Sequence, residues 1–382
     1  MKLKELGVII TGNTPSKNKK EFYNSRDICF FKPSDLEEDK INYLESSEEY
    51  ISENARDVAR ILPKDALLMT CIGTIGKIGV LKKEASCNQQ INAIIPNELV
   101  IPEYLGYLLL SKKEYLKKKA NAPVVPIINK TDFSSIDVNI CDVEEQKNIV
   151  VKLNKINELI LLRKKEIEKC NGLIKSQFVE MFGDINMNNK NFEESKLSSY
   201  VKVIGGYAFK SKDFKEEGIP VLRIGNINAG YFRPKDLMFW NEDSKLENYV
   251  IYPGDVVMSL TGTVGKDDYG NICIMSNDYE KYYLNQRNAK LILNDELDKC
   301  YITYALRIPE IKKRLTGISR GVRQANISNK DIENLVIPIP PTELQNKFAQ
   351  IVEQIDKQKF EFENSLKKLE ELQASLMQEY FG

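Results

Sequence analysis

Gly-Thr-Ile-Gly-Lys occupies residues 73–77, and Gly-Thr-Val-Gly-Lys occupies residues 262–266, of a chain of 382 residues. This recurrence constrains the fold more than any local propensity, because further matches follow it in the same order. Lys2-Leu3 pairs with Lys196-Leu197, and CFFKPSDL (29–36) pairs with PVLRIGNI (220–227), which sets Lys32 opposite Arg223. LPKDALLMT (62–70) pairs with YPGDVVMSL (252–260), and CNQQINA (87–93) with LNQRNAK (284–290). INKTDF (128–133) lies opposite ISNKDI (327–332), and CDVEEQKNIV (141–150) opposite PPTELQNKFAQI (340–351). A repeat this long is a duplicated domain, not a solenoid. Duplication within one chain implies a pseudo-dimer with approximate two-fold symmetry, suited to a partner that itself has two-fold character.

Each half opens with mixed strands and helices. DICFFKP, ALLMTCIG and NAIIP read as strands, with β-branched and aromatic residues bounded by turn residues. Their counterparts are PVLRIG, DVVMSLTG and AKLILN. Residues 102–119 read as a helix, as do residues 301–315 with a break at Pro309. The class is therefore α+β.

Each half closes on a long helical segment. Residues 144–181 hold no proline and one glycine, Gly172. Leu153, Ile160, Ile167, Ile174 and Met181 recur every seven residues, and Phe348, Ile355, Phe362, Leu369 and Leu376 do the same in the second half. Sustained heptads argue for a coiled coil. Two-fold symmetry makes the pair antiparallel, a rod on the order of 55 Å long with a globular domain at each end. The competing arrangement lays each helix on its own domain. Arg163 falls beside the apolar seam positions, where it either meets a glutamate of the other helix or faces a partner.

Composition removes most catalytic classes. Histidine is absent, which excludes Ser-His and Cys-His nucleophiles and histidine metal ligands. The seven cysteines are odd in number and include no CxxC pair, which argues against a disulfide framework or a zinc site. There is no GxxxxGK[ST], no GxGxxG and no Asn-Pro-Pro-aromatic stretch. No apolar run is long enough to span a bilayer and no charged-then-apolar leader opens the chain, so a soluble cytoplasmic protein is expected.

The charges balance, with 55 Lys and Arg against 55 Asp and Glu. Nucleic-acid binders usually carry a basic excess, but a balanced chain can hold a basic face. Residues 111–119 and 312–324 are locally basic at matching places, as are 14–20 and 208–215. Basic side chains interleaved with Asn, Gln and Ser suit duplex recognition, since Lys and Arg hold phosphates while Arg, Asn and Gln read base edges. The repeated turn offers glycines, a Thr hydroxyl, exposed N–H groups and a lysine to a phosphate. The bland alternative is a hairpin turn with a solvated lysine.

Two α+β domains, each with a GDxxxS-then-GTxGK-like segment and each followed by an E/P-x-x-E-Q helix, resemble the specificity (S) subunit of type I restriction–modification systems. The resemblance covers essentially the whole chain. The second copy, YPGDVVMSLTGTVGK, is closer to type; the first has Lys64 where the family often has glycine, and Cys71 and Ile72 before its Gly73. The resemblance implies a target recognition domain at 1–143, a central spacer helix at 144–183, a second target recognition domain at 184–340 and a C-terminal spacer helix at 341–382. Each domain would read one half of a bipartite site in double-stranded DNA. The helices would set the spacer and dock two methyltransferase (M) subunits that use S-adenosylmethionine to methylate adenine. Motor-nuclease (R) subunits using ATP and Mg would join for cleavage. This chain would carry no cofactor, no metal and no catalytic residue of its own.

The DNA-facing candidates follow from position. Lys32 and Arg223 share a strand-to-turn position; Gln89, Gln90, Gln286 and Arg287 lie near the repeated turn; Lys77 and Lys266 end it as phosphate contacts. Lys17, Lys130, Lys210, Lys212, Arg320, Arg323 and Gln324 complete the set. Plain surface charge and local turn closure compete for these residues. The seam residues Leu153, Ile160, Ile167, Ile174, Phe348, Ile355, Phe362 and Leu369 are structural. The rival function is a duplicated protein-binding scaffold on a coiled-coil spacer, without nucleic acid.

Overall fold

The computed structural model describes residues 1–120, 125–317 and 324–382. The chain forms two compact units, Met1–Lys164 with Glu363–Gly382, and Lys165–Phe362.

Unit 1 contains eight described strands: β1 (Gly7–Thr11), β2 (Ile28–Phe31), β3 (Ile41–Leu44), β4 (Glu49–Ile51), β5 (Leu67–Thr70), β6 (Ile78–Leu81), β7 (Ala85–Cys87) and β8 (Ile91–Pro96). They make a five-stranded sheet in the order β1-β8-β5-β6-β3 and a three-stranded sheet β4-β2-β7. Every residue of β5 and β6 is buried, so the larger sheet is covered on both faces and its strands read as continuous apolar runs. One cover is α1 (Pro102–Ser111), which opens on a proline at its first position. Gly106 lets α1 lie close to the sheet: a Cβ there would sit 3.0 Å from Ile41 and 3.3 Å from Ile78. The helix expected over 102–119 is broken at Lys112, and α2 (Lys113–Lys119) follows. α3 (Lys130–Ser134) is capped by Asn129, whose side chain accepts the Asp132 N–H at 2.8 Å.

Unit 1 also holds the first part of α4 (Val143–Phe182), which continues into unit 2. In unit 2 the strands are β9 (Glu193–Lys196), β10 (Val201–Gly205), β11 (Ile219–Leu222), β12 (Met238–Trp240), β13 (Val250–Ile251), β14 (Val256–Ser259), β15 (Thr261–Thr263), β16 (Ile272–Ile274), β17 (Tyr282–Leu284), β18 (Asn288–Leu293), β19 (Gln324–Asn326) and β20 (Val336–Ile339). The sheet β10-β18-β14-β16 repeats the order β1-β8-β5-β6, and β12-β11-β17-β13 repeats β4-β2-β7 with one strand added. The parallel pairing of β2 with β7 recurs as β11 with β17. The duplication read in the sequence is therefore a duplication of topology. α5 (Lys299–Leu306) and α6 (Pro309–Thr316) are separated just before Pro309, as expected, because proline cannot donate to the preceding turn. α7 (Asn329–Glu333) is capped by Ser328, and α8 (Thr342–Phe381) closes the chain.

α4 and α8 are 40 residues each and run antiparallel. In unit 1, Lys152 donates to the Tyr380 hydroxyl at 3.4 Å, Lys164 pairs with Glu370 at 3.2 Å, and Arg163 donates to Ser365 Oγ at 3.1 Å. In unit 2, Lys359 donates to Asn171 Oδ1 at 2.9 Å. Leu153, Ile160, Ile174, Phe348 and Ile355 are buried; Ile167, Phe362 and Leu369 are half-buried. Ile149, Ile156 and Cys170 supply the second set of buried positions on α4, and Gln345 and Val352 on α8.

The heptad drifts at the end of α4. A spacing of seven points to Met181, which is only half-buried, whereas Phe178 and Phe182 are buried. Steps of four from Ile174 hold these rings on the side facing the unit 2 core. Both rings lie 5.4 Å from Phe348, and Phe182 lies 4.9 Å from Tyr301. There α4 meets the unit 2 core while still packing against Phe348 of α8.

One glutamine fixes each long helix to its domain. Gln146 is fully buried; its Oε1 accepts the Ile101 N–H at 2.9 Å, and its amide donates to Leu99 O at 2.9 Å and Cys141 O at 2.8 Å. Gln345 repeats this, accepting the Asp298 N–H at 2.8 Å and donating to Glu296 O at 3.1 Å and Pro340 O at 2.8 Å. All six partners are main-chain groups, so neighbouring side chains vary without loosening the clamp.

Candidate nucleic-acid interface

The repeated turn joins β5 to β6 in unit 1 and β14 to β16 in unit 2. Thr70 N–H donates to Lys77 O at 3.1 Å, Gly76 N–H donates to Thr70 O at 3.0 Å, and Lys77 N–H donates to Thr70 Oγ1 at 3.0 Å. In unit 2, Ser259 N–H donates to Asn271 O at 2.9 Å, Gly270 N–H donates to Ser259 O at 2.8 Å, and Asn271 N–H donates to Ser259 Oγ at 3.0 Å. These three bonds match one for one. The structural counterpart of Gly76 is therefore Gly270, and that of Lys77 is Asn271. The pentapeptides align at their starts, but an insertion after Val264 carries Gly265 and Lys266 outward. Thr263 closes that insertion, its N–H and hydroxyl donating to Asp268 at 2.8 and 2.9 Å. Burial raises the Asp268 pKa, but the hydrogen bonds from Thr263, together with its own backbone N–H and the charge of Lys266, outweigh it and hold the carboxyl below its ordinary range.

Gly76 and Gly270 have φ of 85° and 67°, and each lies against a buried lysine, Lys113 or Lys312. Lys113 pairs with Glu38 and Asp39, both at 2.8 Å. Burial pushes its ammonium pKa down, but the bonds to Asp39 and Glu38 win and hold it above the usual lysine value. Lys312 pairs with Asp267 at 2.5 Å and donates to Asn271 Oδ1 at 2.7 Å. These two lysines belong to the basic runs read from the sequence, yet each spends its charge inside its own unit.

Lys32 and Arg223 occupy the same backbone device, each preceding a 3-10 turn. Lys32 N–H donates to Asp35 Oδ2 at 2.6 Å, and Arg223 N–H donates to Asn226 Oδ1 at 2.9 Å. Their side chains differ. The Lys32 ammonium is half-buried and paired with Glu49, and Lys77 Nζ donates to Pro33 O at 2.9 Å. Arg223 is exposed, and its guanidinium donates no hydrogen bond and forms no ion pair among the described residues.

A cleft of about 550 Å³ in unit 2 brings Arg223, Gln286 and Arg287 together with Asn285, Lys235 and Asp236. Lys210 and Lys212 are exposed on either side of Ser211, which also lines it. Lys266 lies instead at a separate hollow with Arg307 and Lys312. In unit 1, the Gln89 side chain accepts from Thr14 Oγ1 at 2.6 Å, and Gln90 Oε1 accepts from Asn88 Nδ2 at 2.8 Å, which closes the turn locally. Lys17 lines a hollow with Lys20, Tyr23, Asn24 and Glu49, and Lys130 is exposed at the start of α3. Arg320, Arg323 and the side chain of Gln324 lie outside the described residues. Sequence reasoning missed Lys235 and Asp236, which have no counterpart in the matched segments. Asn285 was visible beside Gln286.

Among the described residues, no cluster of Cys, Asp and Glu is arranged to hold a metal ion, and no helix is long and apolar enough to cross a membrane. Burial pushes the thiols of Cys71, Cys87, Cys273 and Cys300 up to about 12, which keeps them protonated and inert.

Comparison with known proteins adds the family. The type I restriction modification DNA specificity domain matches twice, at residues 1–171 and 189–374. The type I restriction enzyme MjaVIII specificity subunit of Methanocaldococcus jannaschii is 28% identical over 80% of this chain and 77% of its own length. The MjaIX specificity subunit of the same organism is 26% identical over 92% of this chain and 85% of its own. In fold, the crystal structure of the type I restriction–modification S subunit from M. genitalium aligns over 100% of this chain and 95% of that one, with a TM-score of 0.62 and 16% identity.

Proposed function

Because the chain belongs to the type I restriction modification DNA specificity family, matched once in each half, we propose that it reads duplex DNA with each unit, one half-site per unit. It is the specificity subunit of a restriction–modification complex, and chemistry belongs to its partners. The unit 2 cleft, where Arg223, Gln286 and Arg287 converge and neither arginine forms an ion pair among the described residues, carries the reading within this chain. Unbonded guanidinium and amide groups on an open cleft are what base edges and phosphates require. The protein-binding scaffold, weighed on sequence, gains no support from the family.

Two adenine-methyltransferase subunits dock on α4 and α8, with the paired helices setting the spacer between half-sites. Support comes from apolar residues exposed on these helices: Val151, Leu161 and Leu162 in unit 1, and Leu173, Val179 and Phe360 in unit 2. S-adenosylmethionine serves the methyltransferases, and ATP with Mg serves any motor-nuclease subunit. The test is to sequence host DNA for N6-methyladenine with and without this gene. Loss of methylation at one split motif on both strands is the expected result. A methylome that is unchanged, together with no salt-dependent duplex binding by the purified complex, rejects the reading.

A further inference from the structure

We propose that the unit 2 cleft recognises a guanine in its half-site through Arg223 and Arg287, an inference that rests on the DNA-reading role above. Both arginines line one cleft and are exposed, and neither guanidinium donates a hydrogen bond or forms an ion pair among the described residues. An arginine fork left unused on a protein surface matches the O6 and N7 acceptors that guanine shows in the major groove.

Both arginines stand on braced backbone. The Arg223 N–H is held by Asn226, which is 2% exposed and donates in turn to Arg233 O at 3.0 Å and Lys235 O at 2.9 Å. The Arg287 N–H donates to Asn285 Oδ1 at 3.1 Å, and its carbonyl accepts the Leu260 N–H at 2.8 Å. Bracing fixes the backbone from which each side chain starts, so only the side-chain rotamers remain to be ordered on binding.

Asp236 sharpens the choice of base. It is the single acidic residue among those that line the cleft. A carboxylate facing phosphates is repelled, whereas one facing a base edge accepts from cytosine N4. Arginine and aspartate in one cleft fit the two edges of a G·C pair.

Unit 1 lacks this equipment at the matching places. Lys32 stands for Arg223 and is paired with Glu49. Gln90 stands for Arg287, its N–H held by Asn88 Oδ1 at 3.1 Å as Arg287 is held by Asn285, but its side-chain oxygen is already engaged. The two half-sites are therefore read by different chemistry on one scaffold.

The test selects duplexes from a random pool with the full chain and its methyltransferase subunits, comparing wild type with Arg223→Ala, Arg287→Ala and the two lysine variants. The expected wild-type motif holds a guanine in one half. Each alanine variant loses preference at that guanine, with about a 5- to 150-fold loss on the selected duplex, while the other half and non-specific affinity are kept. Lysine does not restore the preference. Placing 7-deazaguanine at that position weakens wild type and adds nothing to the affected variant. A uniform weakening across all sequences with a flatter salt dependence assigns both arginines to phosphates and overturns the inference. So does a relaxed position that holds no G·C pair. If wild type selects no duplex, the DNA-reading role falls and this inference falls with it. In the other overturning outcomes that role stands.

Discussion

Gln345→Leu tests the clamp that fixes α8 to unit 2. The substitution strips the Asp298 N–H and the Glu296 and Pro340 carbonyls of the hydrogen bonds Gln345 supplies. The stranded N–H costs about 1–3 kcal/mol. Carbonyls tolerate under-satisfaction better, so the pair adds roughly 2 kcal/mol. Leucine in the fully buried site returns about 1–2 kcal/mol of apolar burial. The net expectation is a loss of about 1–4 kcal/mol. The sole tryptophan, Trp240, reports on this unit: it is half-buried, with its ring 5.1 Å from Phe209 and 6.0 Å from Phe214. Urea unfolding followed by Trp240 fluorescence therefore reads the loss directly. A shift under about 0.5 kcal/mol, inside the range of ordinary surface substitutions, refutes the clamp. Gln345→Glu adds a pH signature. Burial raises the folded carboxyl pKa above the unfolded value near 4.3, so the folded state holds its proton to higher pH. The penalty relative to wild type is then smallest below about pH 4 and grows as pH rises through the folded pKa.

Tyr107→Phe removes a hydroxyl that donates to Asn154 at 2.6 Å and accepts from Asn157 at 2.7 Å; unit 1 should lose about 1–3 kcal/mol, read as faster amide exchange in α1 and along the start of α4. Gly76→Ala places a Cβ at φ 85° and 3.2 Å from the Lys113 side chain, and about 1–2 kcal/mol of backbone strain should lower the thermal midpoint, with Gly270→Ala behaving alike. Burial raises the Asp356 pKa against the opposing pull of Lys359 and Arg307, so its favourable contribution is complete below about pH 3.8 and is lost as pH rises through the folded value. Asp356→Asn should then be the more stable form at pH 7, by less than about 1 kcal/mol because the residue is partly exposed, with the gap closing toward pH 4.

The duplication and the strands were legible because the buried strands β5 and β14 are continuous apolar runs and the turns around them carry glycine. The pairing of α4 with α8 was legible because heptads report it. What failed were inferences that needed insertions placed in space. Lys77 and Lys266 look equivalent in sequence, but hydrogen bonding aligns Lys77 with Asn271, since a letter match stays silent on where an inserted loop begins. Charge runs misled in the same way. Lys113 and Lys312 read as surface charge, and burial against Glu38, Asp39 and Asp267 turned them inward. Met181 failed because a heptad assumes a partner on one face alone, whereas the end of α4 also meets the unit 2 core, and steps of four put Phe178 and Phe182 against both Tyr301 of α5 and Phe348 of α8.

On the proposed reading, the clamp and the cleft together let one duplicated scaffold serve two different half-sites. Gln146 and Gln345 hold the long helices through main-chain groups alone, carbonyls that every residue supplies and an N–H that any residue but proline supplies. Backbone bracing at Lys32 and Arg223 is likewise the same in both units, through Asp35 in one and Asn226 in the other. Beyond that bracing the side chains diverge: Lys32 is spent on Glu49, and Arg223 is left open. A substitution at position 223 therefore costs no internal partner, whereas Lys32→Ala strands Glu49 at an intermediate site and should lower unit 1 stability as well as any binding. On the proposed reading, recognition is coupled to stability in unit 1 and separated from it in unit 2. The expectation is that single substitutions in the second half of the chain, at Arg223 first, change the recognised sequence without loss of fold.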